Sequence, residues 1–94
     1  MYARLVRFSF GPGKHAAAQA IADDIAPLIA SQPGNKAVTV FGDEGDGEYG
    51  MFVLWDSEDS ANAAAPVIRP RLDEHLAGNI QGIPSFHLYK VLSK

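Results

Sequence analysis

His75, His87, Tyr89, Arg4, Arg7 and Trp55 are the side chains on which chemistry could rest in this chain. Imidazole titrates near neutral pH, so His75 can accept a proton. His87 and Tyr89 stand two apart in an extended run, which places both on one face of a strand; with Arg7 they can form a polar group inside an apolar pocket. Arg4 and Arg7 fall on opposite faces of the first strand. If both faces are covered, one guanidinium is partly buried and needs an anion beside it. That anion is either a ligand's phenolate or carboxylate, or an acid such as Glu48 or Asp56 across a subunit interface. Trp55 closes an apolar run, where an indole can wall a flat aromatic ligand and donate one N–H. Structural roles compete with these: a core indole, a histidine favoured by a helix C-terminal dipole, an outward polar row of His87 with Ser85. His15 opens a helix and is expected to be solvated.

Sharper motifs fail on spacing. Gly11-Pro12-Gly13-Lys14 is followed by His15, whereas a phosphate-binding loop needs two glycines with four residues between them, then Lys and Ser or Thr. The acidic run Asp43 to Glu48 lacks the alternation of a calcium loop and reads as a solvated hairpin turn. The three histidines sit on different elements, so no metal site is expected. With no cysteine, disulfides and thiolate ligands are excluded. Eight basic residues against eleven acidic ones give a net charge of −3, which removes the basic footprint of a nucleic-acid binder. No apolar run reaches membrane-spanning length, and the first residues have no signal-peptide pattern, so a cytoplasmic protein is the expectation. A chain of 94 residues makes one domain, taken as 1–94.

The elements that must position these residues follow from periodicity. Tyr2 to Phe10 alternates as a strand, with Tyr2, Arg4, Val6, Phe8 and Phe10 on one face and Ala3, Leu5, Arg7 and Ser9 on the other. Gly11-Pro12-Gly13 breaks it. Ala17, Ile21, Ile25, Leu28 and Ile29 then form one helical stripe, with a kink expected near Asp23 from Pro27. Lys36 to Phe41 and Tyr49 to Trp55 read as strands joined by the glycine-rich acidic loop. Asp56 or Ser57 caps a second helix, which Pro66 and Pro70 are expected to divide, the second piece running to Ala77 with Gly78 beyond its end. Asn79 to Pro84 reads as loop and Ser85 to Leu92 as the last strand.

The order is β-α-β-β-α-β, an α+β ferredoxin-like plan: a four-stranded antiparallel sheet with both helices on one face. Two helices cover only one face of such a sheet, yet the third strand is apolar at successive positions from Met51 to Trp55. The uncovered face, carrying either Phe52 and Leu54 or Met51 and Val53, seeks a partner. The simplest partner is a second copy, so a homodimer through the open sheet face is expected.

Three stretches carry a resemblance: ARLVRFSFGPGK, LIASQPG, and GEYGMFVLWDSEDSANAAA, in which an apolar strand ends in Trp55 and enters a helix. The chain resembles the antibiotic biosynthesis monooxygenase-type proteins of the dimeric α+β barrel superfamily. That resemblance implies a cofactor-free oxidation of polycyclic phenols to quinones, in an apolar pocket between sheet and helices, with the bound phenol anion itself reducing dioxygen. For such a reaction the residues' own chemistry and placement make His75, Arg7 and Trp55 the candidate catalytic residues, and His87, Tyr89 and Phe52 the candidate substrate contacts. The resemblance implies no metal and no other cofactor. A void of at least a few hundred Å³ is required to enclose a tricyclic phenol. Haem-degrading relatives carry an Asn on the first strand and a His after the Trp; here the first strand has no Asn, and Ala65 stands about ten residues past Trp55. RNA-recognition domains share the element order, but an extra residue separates Gly50 from Phe52-Val53 and Glu48 replaces the leading basic residue. A dimeric module that binds a small apolar ligand without turnover is the remaining alternative.

Overall fold

The computed structural model describes residues 1–93. Its elements are β1 (Tyr2–Ser9), α1 (His15–Ala30), β2 (Asn35–Asp43), β3 (Glu48–Trp55), α2 (Glu58–Leu76) and β4 (Gln81–Lys90). The strands form one sheet in the order β2-β3-β1-β4, every neighbouring pair antiparallel. The βαββαβ plan read from the periodicity is therefore the observed one.

Alternation along the strands decides what each face holds. Val6 and Phe8 of β1, the following Phe10, and Tyr49, Met51, Val53 and Trp55 of β3 are all buried against the helices. Ile21, Ile25 and Ile29 of α1 and Leu72 and Leu76 of α2 close over them. Each fully buried aliphatic side chain of this kind contributes about 1.5–3 kcal/mol. Phe8, Phe10 and Tyr49 pack ring to ring at 5.1–6.2 Å at one end of this layer. The open face carries Leu5 and Arg7, Phe41, Phe52 and Leu54, and His87 and Tyr89, as the pairings Leu5–Phe52, Leu5–His87 and Ala37–Leu54 require.

Local chemistry explains the boundaries. Ser57 is the α2 cap: its Oγ accepts from the Ser60 backbone N–H at 3.1 Å, and Glu58 and Asp59 follow in the first turn. Gly78, at φ +79°, takes the left-handed position just past the helix. At the far end of β1, Gly47 (φ +74°) abuts Gly11, and its carbonyl accepts from the Phe10 N–H at 2.8 Å.

Three expectations change. The second helix is not divided at its prolines but runs unbroken from Glu58 to Leu76. Asn62, Pro66 and Pro70 recur at intervals of four on its exposed side, so the carbonyls that lose their N–H partners face water. Pro27 likewise lies on the exposed side of an α1 that continues through it. The last strand begins at Gln81, not Ser85: Gln81 pairs with Ser9, and an irregularity holding Gly82 (φ +74°), Ile83 and Pro84 precedes the Ser85–Arg7 pairing. Proline and positive-φ glycine are tolerated in a bulge, which is why these residues read as loop.

Candidate functional site

A cavity of about 100 Å³ lies between the sheet and α2. Val6 of β1, Met51, Val53 and Trp55 of β3, Ile29 of α1 and Leu72 of α2 make its apolar floor and sides. Ala61 and Ala65 face it from α2, where a methyl group in place of a larger side chain leaves the space open. Phe86 of β4 and Ile68 of α2 complete the wall, and Arg4 and Arg69 contribute its charged groups. Among the described residues no carboxylate, imidazole or hydroxyl lines it. The volume falls below the few hundred Å³ that would enclose a tricyclic phenol.

Arg4 reaches the cavity because it shares a face with Val6 and Phe8, the side that the helices cover. It is half-buried. Its Nη2 donates to Asn62 Oδ1 at 3.4 Å, a long contact, and among the described residues it has no carboxylate partner. Desolvation first, and then the charge of Arg69, push its pKa down from the ordinary guanidinium value. The group stays protonated, as guanidinium does in proteins, so the unfavourable surroundings act as an unmet demand for negative charge. Arg69 sits over the Phe86 ring, with Cζ 3.7 Å from the ring centroid, and its Nε donates to Asp73 Oδ1 at 3.1 Å. Its Nη groups have no acceptor among the described residues. Two guanidinium groups thus stand at an apolar cavity, the inner one without a carboxylate counter-ion among the described residues.

The residues singled out from the sequence divide between three places. Trp55, buried, forms part of the cavity floor. Arg7, Phe52, His87 and Tyr89 come together on the opposite, open face of the sheet, and none of them lines the cavity. His87 and Tyr89 do neighbour each other, their rings 5.9 Å apart. His75, in the last turn of α2, is engaged elsewhere: its Nε2 is 2.8 Å from Asp24 Oδ2 of α1. Arg71 binds the same carboxylate through Nε and Nη2. This cluster braces the two helices that roof the sheet. Arg69, Asn62 and Phe86 were missed in the sequence, and Arg4 was weighed only against Arg7; its shared parity with Val6, Phe8 and Phe10 was the available signal.

The hydrogen bonds from His75 and then Arg71 hold the Asp24 carboxyl below the usual carboxylate range. A depressed folded-state pKa contributes stability above the unfolded value and loses it as pH falls through the folded one. Asp24→Asn is therefore expected to melt below the parent protein at pH 7. The gap between the two melting curves should begin to narrow as pH falls below about 4, the unfolded carboxylate value, and close only as pH passes through the lower folded-state value. A gap that stays constant from pH 7 to pH 3 would contradict the brace.

Among the described residues no group of three His, Asp or Glu side chains is placed to hold a metal ion. Among the described residues no helix is long and apolar enough to cross a membrane.

Comparison with known proteins follows the same lines. The sequence model of the family described as antibiotic biosynthesis monooxygenase matches residues 1–65, from β1 into the middle of α2. No curated protein matches the chain. Among solved structures, a protein of unknown function from Nitrosomonas europaea superposes with a TM-score of 0.84 at 21% identity, covering 99% of this chain and 90% of that one. SnoaB, a cofactor-independent oxygenase from Streptomyces nogalater, gives 0.77 at 20% identity, with 99% and 94% covered. A monooxygenase from the gene ActVA-Orf6 of Streptomyces coelicolor, in complex with the ligand Nanaomycin D, gives 0.78 at 19% identity, with 99% and 88% covered. At these identities the likeness establishes a shared fold.

Proposed function

The chain belongs to the antibiotic biosynthesis monooxygenase family, and on that premise we propose that it binds an electron-rich phenol as its anion in the cavity under α2 and oxidises it with dioxygen, without metal or flavin, as a homodimer. The observation that carries the reading is Arg4, half-buried at the edge of an apolar cavity and lacking a counter-ion among the described residues.

Binding beside Arg4 and Arg69 favours the phenolate and releases the phenolic proton to solvent. The ring lies against Trp55, out of water, where the anion's electron density is raised in energy and the competing side reactions of an exposed radical are suppressed. Carbon para to the phenolate oxygen forms a bond to one atom of dioxygen. The O–O bond then breaks as that carbon gives up its hydrogen as a proton to the departing oxygen, so the ring ends as a quinone and the second oxygen leaves as hydroxide, which becomes water by taking up a proton from solvent in place of the one released on binding. The substrate supplies every electron, and the chain supplies desolvation, orientation and positive charge. Trp55, Arg4 and Arg69 are the residues assigned to this site. His75 is assigned to positioning α2, and Arg7, Phe52, His87 and Tyr89 to the face where a second copy docks.

The dimer rests on the open face. Phe41 and Phe52 are each 43% exposed and Tyr89 51%, on a face that two helices leave uncovered. Large aromatic groups clustered this way mark an interaction surface.

Oxygen uptake on addition of a panel of phenols and naphthols, with no cofactor present, tests the reaction. Turnover of at least one is expected, and Ala65→Leu, which fills the cavity from a helix position where leucine is well tolerated, should lower it at least tenfold without lowering Tm. Because no described residue lining the cavity can act as a general base, a binding module without turnover is the second reading. Ligand binding that Ala65→Leu abolishes, with no oxygen uptake on any compound, would select it.

A further inference from the structure

The geometry points to a compact ligand class for this cavity: a one-ring aromatic oxyanion, its ring on Trp55 and its charged oxygen between Arg4 and Arg69. The inference rests on the reading of this cavity as the ligand site and adds a limit on ring number and a requirement for charge.

The size limit comes from the walls. A free volume of about 100 Å³ is smaller than the engineered cavity of about 150 Å³ that holds benzene, so even a single ring enters only with its polar end left outside at the opening. The surrounding side chains offer little slack. Met51, Val53, Trp55, Ile29 and Leu72 are each 1–2% exposed, so enlarging the floor means displacing the packed layer between sheet and helices. A second fused ring has only the solvent side in which to lie.

The charge requirement comes from what the two guanidinium groups lack. Arg4 has only the long Asn62 contact, and Arg69 uses its Nε for Asp73 and its face for Phe86, leaving its Nη donors free among the described residues. Like charges held close repel, which is why Arg69 contributes to lowering the Arg4 pKa. An oxyanion placed between them cancels that repulsion and accepts charge-assisted hydrogen bonds from both. A neutral isostere would enter the same apolar space, relieve none of the repulsion and bind less tightly. A carboxylate and a phenolate share this chemistry.

The test reads binding, not turnover, on the intact protein. Benzoate, its neutral isostere benzamide, 4-nitrophenolate and anthracene-2-carboxylate are titrated by calorimetry, and benzoate also by emission from Trp55, the only tryptophan. Benzoate or 4-nitrophenolate is expected to bind, the preferred one naming the oxyanion. Benzamide and the tricyclic acid should each bind at least tenfold more weakly than the preferred anion, and benzoate, if bound, should perturb Trp55 emission. Arg4→Gln should abolish the preference for benzoate over benzamide while leaving the far-ultraviolet circular dichroism unchanged. The inference is overturned if neither one-ring anion binds, if benzamide matches benzoate, if the tricyclic acid binds as tightly as the one-ring anion, or if bound benzoate leaves Trp55 emission unmoved. Anion binding without oxygen uptake on any phenol sinks the oxygenase reading alone; uptake on a tricyclic phenol with no one-ring binding sinks this one alone.

Discussion

Gly47→Ala is expected to destabilise the protein by about 2–5 kcal/mol, a large part of the stability of a small domain. Two costs combine. At φ +74° an L-residue incurs a left-handed penalty of about 1–2 kcal/mol. The added Cβ would then stand 2.1 Å from the carbonyl carbon and oxygen of Gly11, backbone atoms that cannot swing aside as a side chain does. Forcing them apart costs a further amount of about 1–3 kcal/mol, as overpacking does elsewhere. It also pulls on the Gly47–Phe10 hydrogen bond that ties the β2–β3 hairpin to the end of β1. For a domain of this size the fall in Tm should exceed about 10 °C. Gly13→Ala is the matched control, with φ +83° and nothing within 4 Å of its Cβ. It should show the backbone penalty alone. Equal losses in the two variants would remove the steric part of the argument.

Phe52→Asp is expected to convert a dimer into a monomer. Phe52 sits mid-sheet, paired with Leu5 on one side and Thr39 on the other, and keeps 43% of its surface exposed. A central aromatic of a protein interface typically carries about 2–4 kcal/mol. The replacement adds a carboxylate that association would have to dehydrate without a partner. The dissociation constant should rise at least 100-fold, read by sedimentation velocity over a dilution series. Because Phe52 lies outside the buried layer beneath the helices, the variant's circular dichroism should match that of the parent. A parent protein that sediments as a monomer at every concentration would end the dimer proposal directly.

The fold was legible in this sequence because its signals are local. Two-residue alternation in Tyr2 to Phe10, the Ile21-Ile25-Ile29 stripe, Ser57 ahead of two acids and Gly78 after a helix each point to one structure, and each is seen. What stayed illegible depends on distance. Alternation places Arg4 and Arg7 on opposite faces but does not say which face the helices take. Only the burial of Val6 and Phe8 beneath α1 and α2 puts Arg4 at the cavity and leaves Arg7 outside. The same step separates Trp55 from Phe52, three positions earlier on the same strand. The His75–Asp24 contact joins residues 51 apart, and no spacing rule reaches that far. The cavity's volume is a difference between large packed volumes, and two alanines on α2 do not fix it.

Pro66 and Pro70 bear on how a guest would get in. Each withdraws one rung from the ladder of α2, on its watery side, and both lie on the stretch that bears Ala65, Ile68 and Arg69. A rod missing two rungs on its outer edge bends with less effort than an intact one. The roof over the cavity should thus yield more readily than its floor, which is woven into a four-stranded sheet.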